Sequence, residues 1–434
     1  MVESYITKLT QSITDAHRMG LIRKRIERLP DKSFCGLDST TRSAWGSCLA
    51  DIRWGLNKDN SKLRNTVEVY VYSLTYHEPF YYRTFAGNTM DMSTVRTILS
   101  DLVELGFPQK EIGVITDRGY PSSDNLASFV AANIPFIMCS KVNRKPISQI
   151  LLDKVLYDEH GLPNIFEYDE KRSIYYAQFN VPTYTSSLPD DTPVEIEGLK
   201  VNLFLNMTVR CKELEKIRKK VEEEKNAITK VVENGNVPDN LKLINSCYIY
   251  YKLEREDDKA KTIKILKKDE RIRKDESQCG FFSSLMYIID MSAKEALDTY
   301  KMRDEEEKSH ELIKDQLEFN TQDTSTEESK DGRSFILFCG AILASKLRYG
   351  WKNSNLSLKY HSALDVMDVM EPIKYSEYAS ENNPSHMTTF TEEQFAICQC
   401  LHLDPPRDCL NAKSRTEYDR VQRLAEAQTT KSET

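Results

Sequence analysis

Two aspartates share a setting that could serve chemistry. Asp38 closes the apolar run that begins at Phe34, and Asp117 follows the compact apolar run Ile112 to Thr116. Ligands of open α/β sheets gather beyond the carboxyl ends of the strands, so these carboxylates can converge although roughly 80 residues separate them. Each also has a plain explanation, since Asp before Ser-Thr or Arg-Gly is an ordinary turn or cap residue. Two carboxylates in one cleft can hydrolyse a glycosidic bond without metal. Glu307 is the third acidic candidate. At about 100° per residue, Tyr300, Arg303, Glu307, His310 and Lys314 fall within roughly 80° of one another and form one helical stripe, from which Glu305 and Glu306 point away. The plain alternative is a surface salt-bridge ladder worth about 0.3 kcal/mol per pair.

The elements that must carry these groups are visible in the hydropathy pattern. Ser292 followed by Glu295 forms an S-x-x-E capping box, which predicts a helix running to about Phe319. A polar segment, Asn320 to Asp331, ends it, and Phe335 to Tyr349 is the most apolar helix of the chain. Upstream, Val67 to Tyr76 and Phe80 to Phe85 are rich in aromatic and β-branched residues; separated by His77, Glu78 and Pro79, they predict a hairpin. Met92 to Leu105 has helical spacing and stops at Gly106 and Pro108, Ser123 to Asn133 reads as a helix, and Phe136 to Cys139 as a strand. Ile6, Leu9, Ile13, Leu21 and Ile22 predict one helix over most of residues 1–30. Strands alternating with helices argue for an α/β sheet covered on both faces. Between about 146 and 278 this rhythm breaks. There, strand-like Ile174 to Val181, Val201 to Met207 and Cys247 to Leu253 interleave with a charged helix from Cys211 to Val232, as in an inserted α+β subdomain. Gly280 to Ile289 returns as a strand.

Composition bounds the function classes. At roughly 150 residues per domain, 434 residues make two or three globular units, and 40% hydrophobic with 29% charged residues is the balance of a folding chain. The longest apolar run, Phe335 to Ser345, is cut by Lys346, well short of the roughly 20 residues of a membrane helix. The opening MVESYITKLTQS has no charged leader followed by an apolar core, so a cytoplasmic protein is expected. Ten Cys without a CxxC pair are expected to be reduced thiols, and Cys398 and Cys400, one residue apart, fit no zinc knuckle. Sixty Lys plus Arg against 67 Asp plus Glu give a net charge of -7, so the overall field does not attract nucleic acid and any DNA contact needs local basic patches. Arg18, Arg23, Lys24, Arg25 and Arg28 form one such run, and Lys259 to Lys274 another; alone, such a run reads first as a solvated face.

Taken together, the two aspartates and the stripe resemble the DDE transposases of bacterial insertion sequences, specifically the insertion-sequence-4-like group of the retroviral-integrase superfamily. Tyr300, Arg303, Glu307 and Lys314 reproduce that group's Y-(2)-R-(3)-E-(6)-K signature without a gap. Asp117, Gly119 and Tyr120 match its second-aspartate motif, and Asp38 in Leu-Asp-Ser-Thr-Thr the first. Supporting stretches are Phe85-Ala86-Gly87-Asn88 with Asp91 downstream, Ser122-Ser123-Asp124-Asn125-Leu126, and Asp331-Gly332-Arg333, so the match runs from about residue 31 to 350.

The resemblance implies an α/β, RNase H-like (retroviral-integrase) catalytic core at 31–145 and 279–350, with the α+β insertion at 146–278 lying between the second Asp and the Glu. Residues 1–30 would be a helical remnant and 351–434 a tail. It implies that Asp38, Asp117 and Glu307 are catalytic and hold two Mg²⁺ ions, with Mn²⁺ as a substitute, and that Tyr300, Arg303 and Lys314 contact DNA phosphates. The activity would be cleavage and strand transfer at the ends of an insertion sequence. Double-stranded DNA, as transposon ends and target, would be the partner of a dimer on the bacterial nucleoid. Relatives carry a substantial N-terminal region that reads the inverted repeats, whereas about 37 residues precede Asp38 here. Many also have basic residues after the signature Lys, where this chain has Glu318, Asn320, Thr321, Gln322 and Asp323. The alternative expectation is therefore a truncated, inactive remnant that binds DNA or dimerises as an inhibitor. His310 has no counterpart and is read as packing or surface, and Trp45, Trp54 and Trp351 are expected to be buried and structural.

Overall fold

A computed structural model describes residues 2–45, 49–58, 61–157, 162–235, 237–238, 240–255, 263–303, 321–322, 324–355, 359–360, 363–376, 386–401 and 403–420. The chain divides into two compact units. One comprises Met1–Pro30, Asp38–Thr89 and Asp304–Thr434, the other Asp31–Leu37 and Met90–Arg303.

The first unit opens with two helices, α1 (Val2–Ser12) and α2 (Asp15–Ile26), where the apolar spacing predicts one. The break falls at Thr14, which is extended and whose backbone N–H donates to His17 Nδ1 at 3.2 Å, starting a fresh helix. Strand β1 (Phe34–Ala44) gives seven of its eleven residues to this unit, followed by β2 (Arg64–Ser73) and β3 (Glu78–Ala86) in the order β3-β2-β1. The hairpin expected between Val67 and Phe85 is present: β2 and β3 pair antiparallel from Thr66↔Ala86 to Ser73↔Glu78. Nearly every β2 residue is buried, which explains a run of Val and Tyr without polar alternation. The helix Glu327–Lys352 covers this sheet, with Phe338 against Tyr82 at 4.8 Å between ring centroids. Gly332 lets α1 close on that helix, since a Cβ there would fall 2.0 Å from the Thr10 carbonyl oxygen. Arg42 and Glu68 form a buried ion pair beneath the same helix, with Ser334 and Tyr70 also bonded to it.

In the second unit α3 (Asp91–Glu104) leads to β4 (Gly113–Thr116), and α4 (Ser123–Ala131) to β5 (Phe136–Ser140), close to the sequence expectation. The first four residues of β1 pair parallel with β4, from Phe34↔Gly113 to Leu37↔Thr116, and β4 pairs parallel with β5. After α5 (Ile147–Asp153) come β6 (Glu167–Asp169), β7 (Ile174–Ser187) and β8 (Pro193–Leu205), then α6 (Met207–Glu233) and α7 (Leu241–Asn245). The unit closes with β9 (Tyr251–Arg255), β10 (Ile263–Lys267), α8 (Asp269–Gln278), β11 (Phe281–Tyr287) and α9 (Ala293–Lys301). Its sheet runs β1-β4-β5-β11-β8-β7-β6, parallel at β1, β4 and β5 and antiparallel beyond. The broken rhythm after residue 146 thus has two causes. The long hairpin β7–β8 continues the sheet, while α6, α7, β9, β10 and α8 gather around their own core of Ile228, Tyr250, Tyr251, Leu253 and Ile272. The fold is mixed α/β with a large mixed sheet, and no helix among the described residues is long and apolar enough to cross a membrane.

Candidate functional site

The parallel ladder of β1 and β4 ends at Leu37↔Thr116; Asp117 follows the end of β4, whereas Asp38, expected at a strand end, lies within β1, which runs on to Ala44. Asp38 is half-buried, and its Oδ1 accepts the Ser39 backbone N–H at 2.8 Å. Asp117 leads a turn in which the Tyr120 N–H returns to the Asp117 carbonyl at 3.1 Å. The motif residues downstream hold this turn in place. Tyr120 is buried, and Asn125, also buried, donates from Nδ2 to the carbonyls of Tyr120 (2.6 Å) and Met92 (2.8 Å). The Ser122 hydroxyl caps α4 by accepting the Asn125 N–H at 3.0 Å. Ser122-Ser123-Asp124-Asn125 is therefore a cap and a buried clamp for the aspartate loop.

Tyr300 and Arg303 converge on Asp117. The Tyr300 hydroxyl donates to Oδ1 at 3.0 Å, and Arg303 Nη1 lies 3.7 Å from the same oxygen. The Arg303 guanidinium stands 5.3 Å from the Tyr300 ring centroid, a cation–π contact. The Arg303 side chain is 5% exposed, whereas that of Asp117 is 42% exposed, so a buried cation meets a carboxylate open to solvent. Both contacts fall on Oδ1.

The sequence places these residues on one continuous helix, and the described residues correct that. The capping box is formed, with the Ser292 hydroxyl accepting the Glu295 N–H at 3.2 Å and the Glu295 carboxylate accepting the Ser292 N–H at 2.8 Å. Yet α9 ends at Lys301. The Met302 N–H is shared between the carbonyls of Asp298 and Thr299, and the Arg303 N–H turns back to Tyr300 at 3.1 Å, tightening the last turn. Arg303 thus reaches Asp117 from the end of α9. Glu307, His310 and Lys314 lie outside the described residues.

One neighbour was missed by sequence reasoning. Cys139, at the carboxyl end of β5 beside β4, shares a hydrogen bond with Tyr300. Burial pushes its thiol up to about 11, against the lowering effect of the Tyr300 bond, so it stays protonated at neutral pH. Burial likewise raises the Tyr300 phenol well above its ordinary value, and Cys139 and Asp117 add to the rise while Arg303 opposes it. Tyr300 therefore remains a donor at any physiological pH. The carboxyl-end rule that singled out Asp117 would also have found Cys139, Arg118 and Lys141, which stand at the same strand ends.

Carboxylate oxygens suit a hard divalent cation such as Mg²⁺. Asp117 fits that role, with Oδ1 held by Tyr300 and Arg303 and a second oxygen for a ligand. Among the described residues no group of three or more His, Cys, Asp or Glu is close enough to hold a metal, and Glu307 is not among them.

Two further expectations change. Trp45 and Trp54 are 70% and 63% exposed, not buried; only Trp351 is partly covered, by the cluster around Tyr360, Val366 and Ile397. Near Trp54 the chain runs backbone against backbone, because a Cβ on Gly55 would meet the Gly87 carbonyl at 1.8 Å, so the indole stays at the surface with the Arg64 guanidinium 5.8 Å from it. The basic runs are partly neutralised: Arg18 pairs with Asp15, Arg25 with Glu78, Lys267 with Asp269 and Arg271 with Asp275.

No family model matches the sequence, and no curated protein matches it. A similar solved structure is the piggyBac transposase synaptic complex with hairpin DNA, determined by cryo-EM, at 10% identity and a TM-score of 0.26. The likeness covers 75% of this chain and 55% of that one, so the chain spans about half the length of that structure.

Proposed function

We propose that this chain is a DDE-type transposase that cleaves DNA at the ends of an insertion sequence and joins the freed ends to target DNA, with Asp38, Asp117 and Glu307 holding two Mg²⁺ ions. What supports the reading most is the cluster on Asp117: two members of the Tyr-Arg-Glu-Lys signature, Tyr300 and Arg303, meet the aspartate of the second motif across some 180 residues of sequence. Nothing in a surface salt-bridge ladder requires that meeting. The parallel ladder of β1 and β4, with an aspartate directly after its last pair on each side, is the basis on which we assign an RNase H-like core.

Within this reading each residue has a task. Tyr300 and Arg303 fix Asp117 Oδ1, so the carboxylate presents one orientation rather than several. Arg303, its side chain buried, is also a planar cation of the kind that suits a phosphate, and Lys314 a mobile one. When bound, paired divalent ions activate the attacking oxygen and stabilise the leaving oxygen of an in-line displacement at phosphorus. Water would attack first, breaking the phosphodiester and leaving a 3′-hydroxyl. That hydroxyl would then form a new ester at a second phosphorus as the bond to the displaced oxygen breaks. We take double-stranded DNA as the partner and a dimer as the working form.

The test is a nicking assay on DNA carrying the inverted repeats that flank the gene. Nicked product should require Mg²⁺ or Mn²⁺, vanish in EDTA, and vanish in Asp117→Asn with an unchanged circular dichroism spectrum. Absence of any nick from the wild-type chain would favour the inhibitory remnant, and metal-independent hydrolysis a glycosidase-type carboxylate pair.

A further inference from the structure

The loops that leave β4 and β5 border a cavity of about 250 Å³. Arg118 and Lys141 line it together with Asn143, Gln278, Phe281 and Phe282. Among the described residues no carboxylate lines it, in a chain whose net charge is -7. A locally cationic hollow in an acidic chain selects an anion against the overall field. The amides of Asn143 and Gln278 can pair with the polar edge of a planar ligand.

The walls are held in place. Arg144, in the loop after β5, donates from Nη1 to the Pro121 carbonyl in the loop after β4, and its own N–H closes a turn onto Lys141 at 3.2 Å. Phe282 stacks on Phe204 with centroids 4.8 Å apart and planes at 18°. Arg118 follows Asp117 directly and acts on the Cys139 thiol that bonds Tyr300, so the cavity adjoins the Asp117 cluster. Its place beyond the carboxyl ends of neighbouring parallel strands is where open α/β sheets receive ligands.

We infer that this cavity holds one nucleotide unit of a DNA strand, its phosphate between Arg118 and Lys141 and its base edge toward Asn143 and Gln278. The inference rests on the transposase reading and adds to it a site for the strand beside the carboxylates. The test is binding in EDTA, where no metal chemistry contributes, by anisotropy of a short fluorescein-labelled single-stranded oligonucleotide. Replacing Arg118 and Lys141 together by Ala should weaken binding on the order of tenfold for each side chain removed, and reduce the slope of log K against log salt by about 0.7 for each phosphate no longer neutralised. The Arg118→Lys and Lys141→Arg variants should retain most of the affinity. Unchanged affinity and slope in the doubly substituted chain would overturn the inference, while Mg²⁺-dependent nicking by the wild type would leave the functional reading standing. Conversely, binding that depends on Arg118 and Lys141 without any nicking would uphold the cavity and sink the transposase reading. A free deoxynucleoside monophosphate that binds as tightly as the oligonucleotide would overturn the strand assignment. Competition by inorganic phosphate as strong as by the mononucleotide would overturn the nucleotide assignment.

Discussion

Replacing Tyr300 by Phe removes one hydroxyl and leaves the ring. In the wild type that hydroxyl donates to Asp117 Oδ1 at 3.0 Å and, because its phenol is raised well above the ordinary value, remains protonated throughout the assay range. A hydrogen bond to a charged group is worth about 1.5–3 kcal/mol when shielded. The Asp117 side chain is 42% exposed, so water takes over part of the missing bond and about 1 kcal/mol remains, or roughly fivefold in rate. Arg303, 3.7 Å from the same oxygen, keeps the carboxylate from swinging free and sets the upper limit on the defect. Single-turnover cleavage at saturating Mg²⁺ measures it directly. Tyr300→Phe should cleave about fivefold more slowly, Asp117→Asn more than about a hundredfold more slowly, and the two together no worse than Asp117→Asn alone, because both act through one carboxylate. A Tyr300→Phe chain as fast as wild type, or one whose defect multiplies with that of Asp117→Asn, would refute the positioning role.

Three stability predictions follow from the first unit and are read by chemical denaturation. Gly332→Ala should destabilise by about 2 kcal/mol or more, since the added carbon lands 2.0 Å from the Thr10 carbonyl, whereas Gly20→Ala in α2, with open space around it, should stabilise by about 0.5–1 kcal/mol. Arg42→Met should cost about 3–5 kcal/mol by leaving Glu68 charged and buried; a cost under 1 kcal/mol would show that water reaches the pair. Burial, reinforced for Tyr70 by Glu68, keeps the phenols of Tyr70 and Tyr82 protonated well above their ordinary value of 10.0. The unfolded chain releases those protons first, so stability should hold up to pH 10 and then fall by about 1.4 kcal/mol per pH unit for each phenol. A denaturation midpoint that stays level to pH 11 would contradict it.

Much of this arrangement was legible because periodicity and capping are local. The β2–β3 hairpin, the helix after Asp91, the strand before Asp117 and the Ser292–Glu295 box each rest on residues within a few positions of one another. What escaped was set by tertiary contact. Where a helix stops is decided by what its last side chains meet: α9 has the spacing to continue past Lys301, yet Arg303 turns in to Asp117. The exposed Trp54 depends on the close passage of Gly55 over Gly87, more than 30 residues away in sequence, and hydropathy alone assigns an indole to the interior. The extension of the sheet by the β7–β8 hairpin was likewise hidden, because β8 docks on β11, far along the chain, and so distant an antiparallel partner leaves no local signature in either strand. Cys139 was invisible as a neighbour of Tyr300 for the same reason.

The meeting of Asp38, Asp117 and Glu307 around divalent cations is most directly tested by anomalous diffraction from crystals of the full chain grown with Mn²⁺ and end DNA. Manganese peaks should appear within coordination distance, about 2.0–2.6 Å, of oxygens from all three carboxylates, and should be absent from Asp117→Asn crystals. Peaks at other residues, or three carboxylates standing on separate surfaces with no cation between them, would contradict the assignment.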